Sequence, residues 1–242
     1  MVQERVSPDA VRVWRGFQGS GLTVQDFYRK LGTVFIPATV KMQIDVGLTA
    51  YCPTALAGLP DKPASVPDET AILFWRSQDA YRMGFETLAV RAYTLTHGGV
   101  YAPGSRADFP VRFTGTLTVD QPVYLVDVPA DWMRGEVRHF VGGRRASDTP
   151  EVFRDAVATA LDEITKDVPL DGAIACVGRD GVVYWELAST ASSGAAVLEP
   201  VVGWKHEVVA APTDLAAGLW DTWPGMDVGI GGSFNIQFAR KL

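Results

Sequence analysis

Histidine and cysteine are scarce in this chain, and no long apolar run occurs in it. The three histidines, His97, His139 and His206, lie ~40 to 70 residues apart, which excludes the close ligand spacing of a structural zinc site. Two cysteines, Cys52 and Cys176, are too few for a disulfide framework. Both lie in apolar stretches and read as inert buried thiols. No apolar stretch approaches the ~20 residues of a membrane helix. Met1 to Arg15 is polar and mixed, without the pattern of a signal peptide. The expectation is a soluble, cytoplasmic protein with reduced thiols and no membrane partner.

Basic clusters are scarce as well. The formal net charge is -6, and the one dense basic run (Arg134, Arg138, His139, Arg144, Arg145) reads as a solvated loop. A nucleic-acid partner would ask for a basic patch, so none is expected. CxxC, GxSxG and P-loop patterns are missing, as is GxGxxG between a strand and a helix. Gly229-Ile230-Gly231-Gly232 stands before a strand and reads as a tight turn.

What is present describes a globular protein: 47% hydrophobic and 21% charged residues over 242 positions, enough for one large domain or two of about 120. Val11 to Phe17 alternates as a strand. Thr23 with Asp26 opens a helix that Pro37 should end or kink. Val46 to Tyr51 is a second strand stopped by Pro53, and a stiff proline-rich loop spans Leu59 to Pro67. Ala71 to Trp75 is a third strand, and Ser77 caps a helix bearing Tyr81, Phe85 and Leu88. That helix stops near Gly84 or continues to Tyr93, with His97-Gly98-Gly99 as a firm end. Phe109 to Val119 reads as the fourth strand.

The order then recurs. Val123 to Val128 is a strand, and Thr149-Pro150 opens the clearest amphipathic helix, with Phe153, Val157, Leu161 and Ile164 on one stripe. Ala173 to Val177 and Val182 to Leu187 flank the hairpin turn Arg179-Asp180-Gly181. His206 to Ala210 is a further strand, Thr213 caps a short helix with Leu215, Leu219 and Trp223, and Ser233 to Ala239 is the last strand. Each half thus follows the βαββαβ order. The expected fold is α+β: two tandem ferredoxin-like lobes with antiparallel sheets and helices on one face. They would occupy residues 1–120 and 121–242.

The strand running into Trp75-x-Ser77-x-x-Ala80-Tyr81 resembles the third strand and second helix of the dimeric α/β-barrel superfamily. That superfamily includes antibiotic-biosynthesis monooxygenase-like and stress-responsive barrel proteins. A two-lobed chain of this length is similar to its chlorite dismutase and dye-decolourising peroxidase branch. The resemblance covers about 20 residues, and a shared fold does not imply a shared reaction. It implies a pocket between sheet and helices for small, often aromatic molecules, and either cofactor-free oxygenation or cyclisation, or haem. The haem branch uses a proximal histidine in its second lobe, where His139 and His206 are the candidates. Neither stands in a matching motif, and the Gly-x-x-Asp-Gly signature of the dye-decolourising peroxidases is missing.

His97 is the residue to single out, at a helix end with Tyr93, Tyr101 and Arg91 nearby in sequence. An imidazole beside a phenol is a general acid-base pair near neutral pH. A helix C-terminal His that only complements the dipole is the plain alternative. Trp75, Tyr81 and, more weakly, Tyr51 are candidate pocket walls, or ordinary core. Asp127 and Glu186 lie on different strands and could meet.

The expected function is a small-molecule enzyme without a cofactor, performing cyclisation, isomerisation or oxygenation on an aromatic or apolar substrate. His97, Tyr93 and Tyr101 would act on it, and Trp75, Tyr81, Tyr51 and Arg91 would hold it. A haem oxidoreductase and a non-catalytic ligand-binding or assembly protein stand as alternatives. Association into a homo-oligomer is expected.

Overall fold

A computed structural model describes residues 9–126, 130–187, 193–215 and 222–238. The described residues group into two compact units. The first lobe takes those within 1–58, 67–107 and 212–242, and the second those within 59–66 and 108–211.

In the first lobe, strand β1 (Ala10–Gly16) leads to helix α1 (Val24–Lys30). The Thr23 hydroxyl accepts from the Asp26 N–H at 3.0 Å and so satisfies an orphan donor of the first turn. The helix does not end at Pro37. It passes through a π-turn (Leu31–Phe35) into α2 (Ile36–Gln43), so the proline sits in the first turn of the new segment, where its missing N–H costs least. The wide turn brings backbone to backbone: Met226 N–H donates to the Gly32 carbonyl at 3.0 Å. A Cβ at Gly32 would stand 2.1 Å from the Met226 carbonyl oxygen, so only glycine fits.

Strands β2 (Leu48–Ala55) and β3 (Glu69–Trp75) follow. Pro53 lies within β2 opposite Ala71 rather than stopping it. Helix α3 (Gln78–Gly84) is capped by Ser77, whose hydroxyl accepts from the Ala80 N–H at 3.0 Å. It ends at Gly84, and α4 (Leu88–Thr96) restarts from a Thr87 cap. A 3-10 turn, His97–Gly99, closes α4. The fourth strand is β4 (Arg106–Asp108), earlier than the sequence pattern suggests.

The second lobe contains β5 (Val111–Arg112), β6 (Pro122–Tyr124), β7 (Val137–Gly143), α5 (Pro150–Asp167), β8 (Ala173–Val177), β9 (Gly181–Leu187), α6 (Gly194–Leu198) and β10 (Trp204–Ala210). Two short strands, β11 (Pro212–Leu215) and β12 (Asn235–Phe238), complete the list. The sheet orders are β11-β12-β2-β3-β1-β4 and β10-β7-β9-β8-β6-β5. Both contain the ferredoxin-like arrangement, in which the first strand of the unit lies between its fourth and third. Both also carry two extra strands beside the second.

Those extra strands set the division of the chain. The segment after β4 supplies β5 and β6 to the second sheet, and the segment after β10 supplies β11 and β12 to the first. The contact units therefore differ from an expected cut at residue 120.

Three further expectations are corrected. The basic run contains β7, between β10 and β9, because its charges are met locally: Arg138 pairs with Glu186 at 2.8 Å and with Glu207, and Arg144 pairs with Asp180 at 2.7 Å. Within Phe109 to Val119 only Val111–Arg112 is strand, and the backbone of Gly115 is left-handed (φ 81°). Thr213 belongs to β11, parallel to β12, and caps no helix there; Leu219 lies outside the described residues. Asp127 lies outside them too. Among the described residues, no helix is long and apolar enough to cross a membrane.

The second lobe packs conventionally. Phe153, Val157, Leu161 and Ile164 of α5 meet Phe140, Val182 and Tyr184 of the sheet, all at 0% exposure. The face of the first sheet that carries large polar aromatics is built differently.

Candidate functional site

Strand register places Arg12 opposite Leu73, Trp14 opposite Ala71 and Gly16 opposite Glu69, with Tyr51 on the other side of Leu73. Alternation puts these side chains on one face of the sheet with Trp75. Arg12, Trp14, Tyr51, Leu73 and Trp75 from this face line a cavity of about 260 Å³. Phe35 from the end of the π-turn, Tyr81 and Phe85 from the α3 segment, and Tyr93 and His97 from the α4 end line it as well, with Arg106 from β4. The volume is at the small end of ligand sites, which span roughly 300–1,000 Å³, and suits a molecule of one or two rings. Edge-to-face contacts fix the walls: Trp75 with Tyr81 at 5.0 Å, Tyr81 with Phe85 at 5.0 Å, and Phe35 with His97 at 4.9 Å.

Behind this wall lies Glu69, with 0% exposure. Tyr51 donates its hydroxyl to Glu69 Oε1 at 3.1 Å, and Tyr101 donates to Oε2 at 3.0 Å. Gly16 makes room for this: a Cβ there would stand 2.6 Å from the Tyr101 ring. Trp14 lies near enough to favour the ionised carboxylate, although its N–H makes no hydrogen bond of good geometry. Burial outweighs these donors and raises the Glu69 pKa to about 7. The same burial, with the Glu69 charge, holds the Tyr51 and Tyr101 phenols well above their usual range.

His97 is half-buried, and burial lowers its pKa below the usual 6.5. Its Nδ1 lies 3.1 Å from the Thr94 carbonyl. A carbonyl only accepts, so the ring proton sits on Nδ1 and Nε2 carries the lone pair. The cavity thus holds a neutral imidazole and, through Tyr51, reaches a carboxyl group that titrates near neutrality.

The structure gathers His97, Tyr93, Trp75, Tyr81 and Tyr51 around one cavity. Tyr101 stands behind it, its ring 6.1 Å from that of His97. The two phenols do not pair with the imidazole through their hydroxyls. Tyr93 shares a 3.1 Å hydrogen bond with the Thr39 hydroxyl, and Tyr101 is committed to Glu69. Their contacts with His97 are ring contacts. Arg91 is exposed, donates Nε to the Phe85 carbonyl at 2.9 Å and is not among the lining residues.

Sequence reasoning missed Glu69, Arg12, Phe35 and Arg106. The one acid within strand β3, two residues ahead of the apolar run Ala71 to Trp75, is the signal that marks Glu69. The others carry none without the register.

His139 and His206 lie in the second lobe on neighbouring strands, with His206 opposite Val141. Alternation puts both on the sheet face away from Phe140, and Phe140 is the residue that packs on α5. His139 is 1% exposed, rests against Trp185 at 5.3 Å and has its pKa lowered to about 3 by burial. The sheet–helix space of this lobe is filled by Phe140, Phe153 and Tyr184, so neither histidine fits an axial ligand for a haem placed there. Glu186 is equally occupied. It accepts from Tyr184 at 2.5 Å, Ser193 at 2.9 Å and the Gly194 N–H at 2.8 Å, which ties down the start of α6.

No family model matches the chain, and no curated protein matches it. Among solved structures, a protein from Lactobacillus acidophilus provisionally named a monooxygenase is 7% identical over 84% of this chain and 93% of that one, with a TM-score of 0.36. A protein of the same provisional name from Fusobacterium nucleatum is 6% identical over 85% and 92%, also at 0.36. A dye-decolorizing peroxidase from Bacteroides thetaiotaomicron is 13% identical over 81% and 84%, at 0.37. At these scores the likenesses bear on neither ligand nor reaction, and the two-lobed ferredoxin-like assignment rests on the strand order itself.

Proposed function

We propose that the first lobe is an enzyme for redox-neutral proton-transfer chemistry, an isomerisation or cyclisation, on a small aromatic molecule. One observation carries the reading: the cavity is walled by aromatic rings and joins a neutral imidazole to a buried carboxyl group through a phenol. His97 Nε2 takes a proton from the substrate. With Glu69 protonated and its hydroxyl turned to donate to Tyr51, Tyr51 passes its own proton to a second substrate atom and takes one from Glu69; solvent then removes the proton from His97 and restores one to Glu69 through Tyr51. Two groups whose environments drive their pKa values in opposite directions supply an acid and a base at the same pH. Neither step calls on a cofactor.

The test begins with a fragment screen followed by ligand-detected NMR, which finds an aromatic molecule that binds and whose acidic C–H exchanges with solvent deuterium. In His97→Gln, binding persists and exchange slows by about 10²-fold or more. Exchange unchanged in that variant refutes the assignment of the base. Binding without exchange in the native protein leaves a ligand carrier.

A further inference from the structure

We propose that the natural ligand of this cavity is an organic anion, a one- or two-ring aromatic carboxylate or phenolate whose charged end meets Arg12 and Arg106. The inference rests on reading the cavity as a ligand site and adds the charge of what it takes. Acids outnumber bases in this chain, 28 to 22. Two arginines, Arg12 and Arg106, nonetheless stand on the cavity wall.

The two arginines come from adjoining strands, since β4 pairs with β1 at the sheet edge. Arg12 is held in place. Its guanidinium lies over the Tyr81 ring at 4.0 Å from the centroid, and its Nη2 donates to the Ala107 carbonyl at 2.7 Å. A planar fork held by stacking keeps its geometry for a carboxylate at little entropic cost. Tyr81 therefore joins the cation to the aromatic wall: its ring lies beneath Arg12 and meets Trp75 edge-to-face at 5.0 Å, so the guanidinium stands beside the rings a ligand would pack on. Arg106 is exposed and adds a second charge beside the wall. Charge-assisted hydrogen bonds to a carboxylate are about twice as strong as neutral ones, so charge, more than shape, selects among rings of equal size.

The measurement is quenching of tryptophan fluorescence, since Trp14 and Trp75 line the cavity. The probes are three molecules of one shape: 2-naphthoate, 2-naphthamide and 2-naphthylmethylammonium. In the native protein, naphthoate binds about tenfold or more tightly than naphthamide, and the ammonium binds most weakly. Arg106→Gln and Arg12→Gln each reduce the preference for naphthoate and leave naphthamide binding within about twofold. Arg106 is exposed, so its variant keeps the test intact should Arg12→Gln fail to fold. Equal or tighter binding of naphthamide overturns the proposal and leaves the cavity standing as a ligand site. A naphthoate preference untouched in both variants overturns the assignment to these arginines. Failure of all three probes to bind counts against the cavity reading as well.

Discussion

Replacing Glu69 by Gln should make the protein more stable at pH 8 and leave it nearly unchanged at pH 4. The carboxyl group has an ordinary pKa of 4.5 and is raised to about 7 in the folded chain by burial. Below about pH 4.5 it is neutral in both states and costs nothing. As the pH rises from there, the unfolded chain ionises first and the folded chain resists. Stability is therefore lost until the folded group also ionises, near pH 7. At about 1.4 kcal/mol for each pH unit between the two values, the native protein is about 3 kcal/mol less stable above pH 7 than it would be with a neutral group there.

Gln stays neutral throughout. Its carbonyl accepts from one of the two phenols now bonded to Glu69, and its amide donates to the oxygen of the other. Thermal unfolding followed by tryptophan fluorescence at several pH values reads the difference between variant and native protein, in which all other carboxylates cancel. The expected gap opens from near zero at pH 4 to roughly 6–12 °C at pH 8. A gap that does not change with pH refutes the reasoning, because only an ionisation confined to Glu69 produces the slope. In the proposed chemistry the same variant loses its proton source, so turnover falls while stability rises.

Gly32→Ala should destabilise the first lobe by about 1–3 kcal/mol, since its Cβ meets the Met226 carbonyl, whereas Gly98→Ala, which meets nothing within 4 Å, should stay within about 0.5 kcal/mol. Chemical denaturation of the two variants side by side checks this, and equal effects would remove the close backbone approach from the account. Expression with haem precursor should yield a protein without a Soret band. A band that disappears in His139→Ala would show that the second lobe opens in a way its packing does not suggest.

The most legible features in the sequence were those written in local chemistry. Thr149-Pro150 and the Phe153 to Ile164 stripe mark α5 without outside help, and Ser77 marks α3, because a capping hydroxyl and its target lie three residues apart. The Arg179-Asp180-Gly181 turn marks the β8–β9 hairpin for the same reason. Legibility failed where a residue's meaning depends on a distant partner. Arg138 looks solvated until Glu186 and Glu207 are seen beside it, so a central strand reads as a loop. Thr213 has the chemistry of a helix cap, yet its segment pairs with a strand 23 residues on, and that pairing overrides the local preference. In the site, the aromatic residues were visible as a class. The carboxyl group behind the wall was not, because Glu69 gains its character from Tyr51 and Tyr101, 18 and 32 residues away.

The exchange of edge strands has a consequence for how the chain is made. All strands of the second sheet fall within residues 111–210, so that sheet can close once they have been synthesised. The first sheet cannot. Its β2 must wait for β12, and the Cys52 thiol finds its Asn235 acceptor 183 residues later. Throughout that interval the β2 edge carries unpaired backbone groups, the surface on which nascent chains stick to one another. The lobe that is begun first is thus finished last, and a ribosome that stalls before residue 235 releases a chain with that edge open.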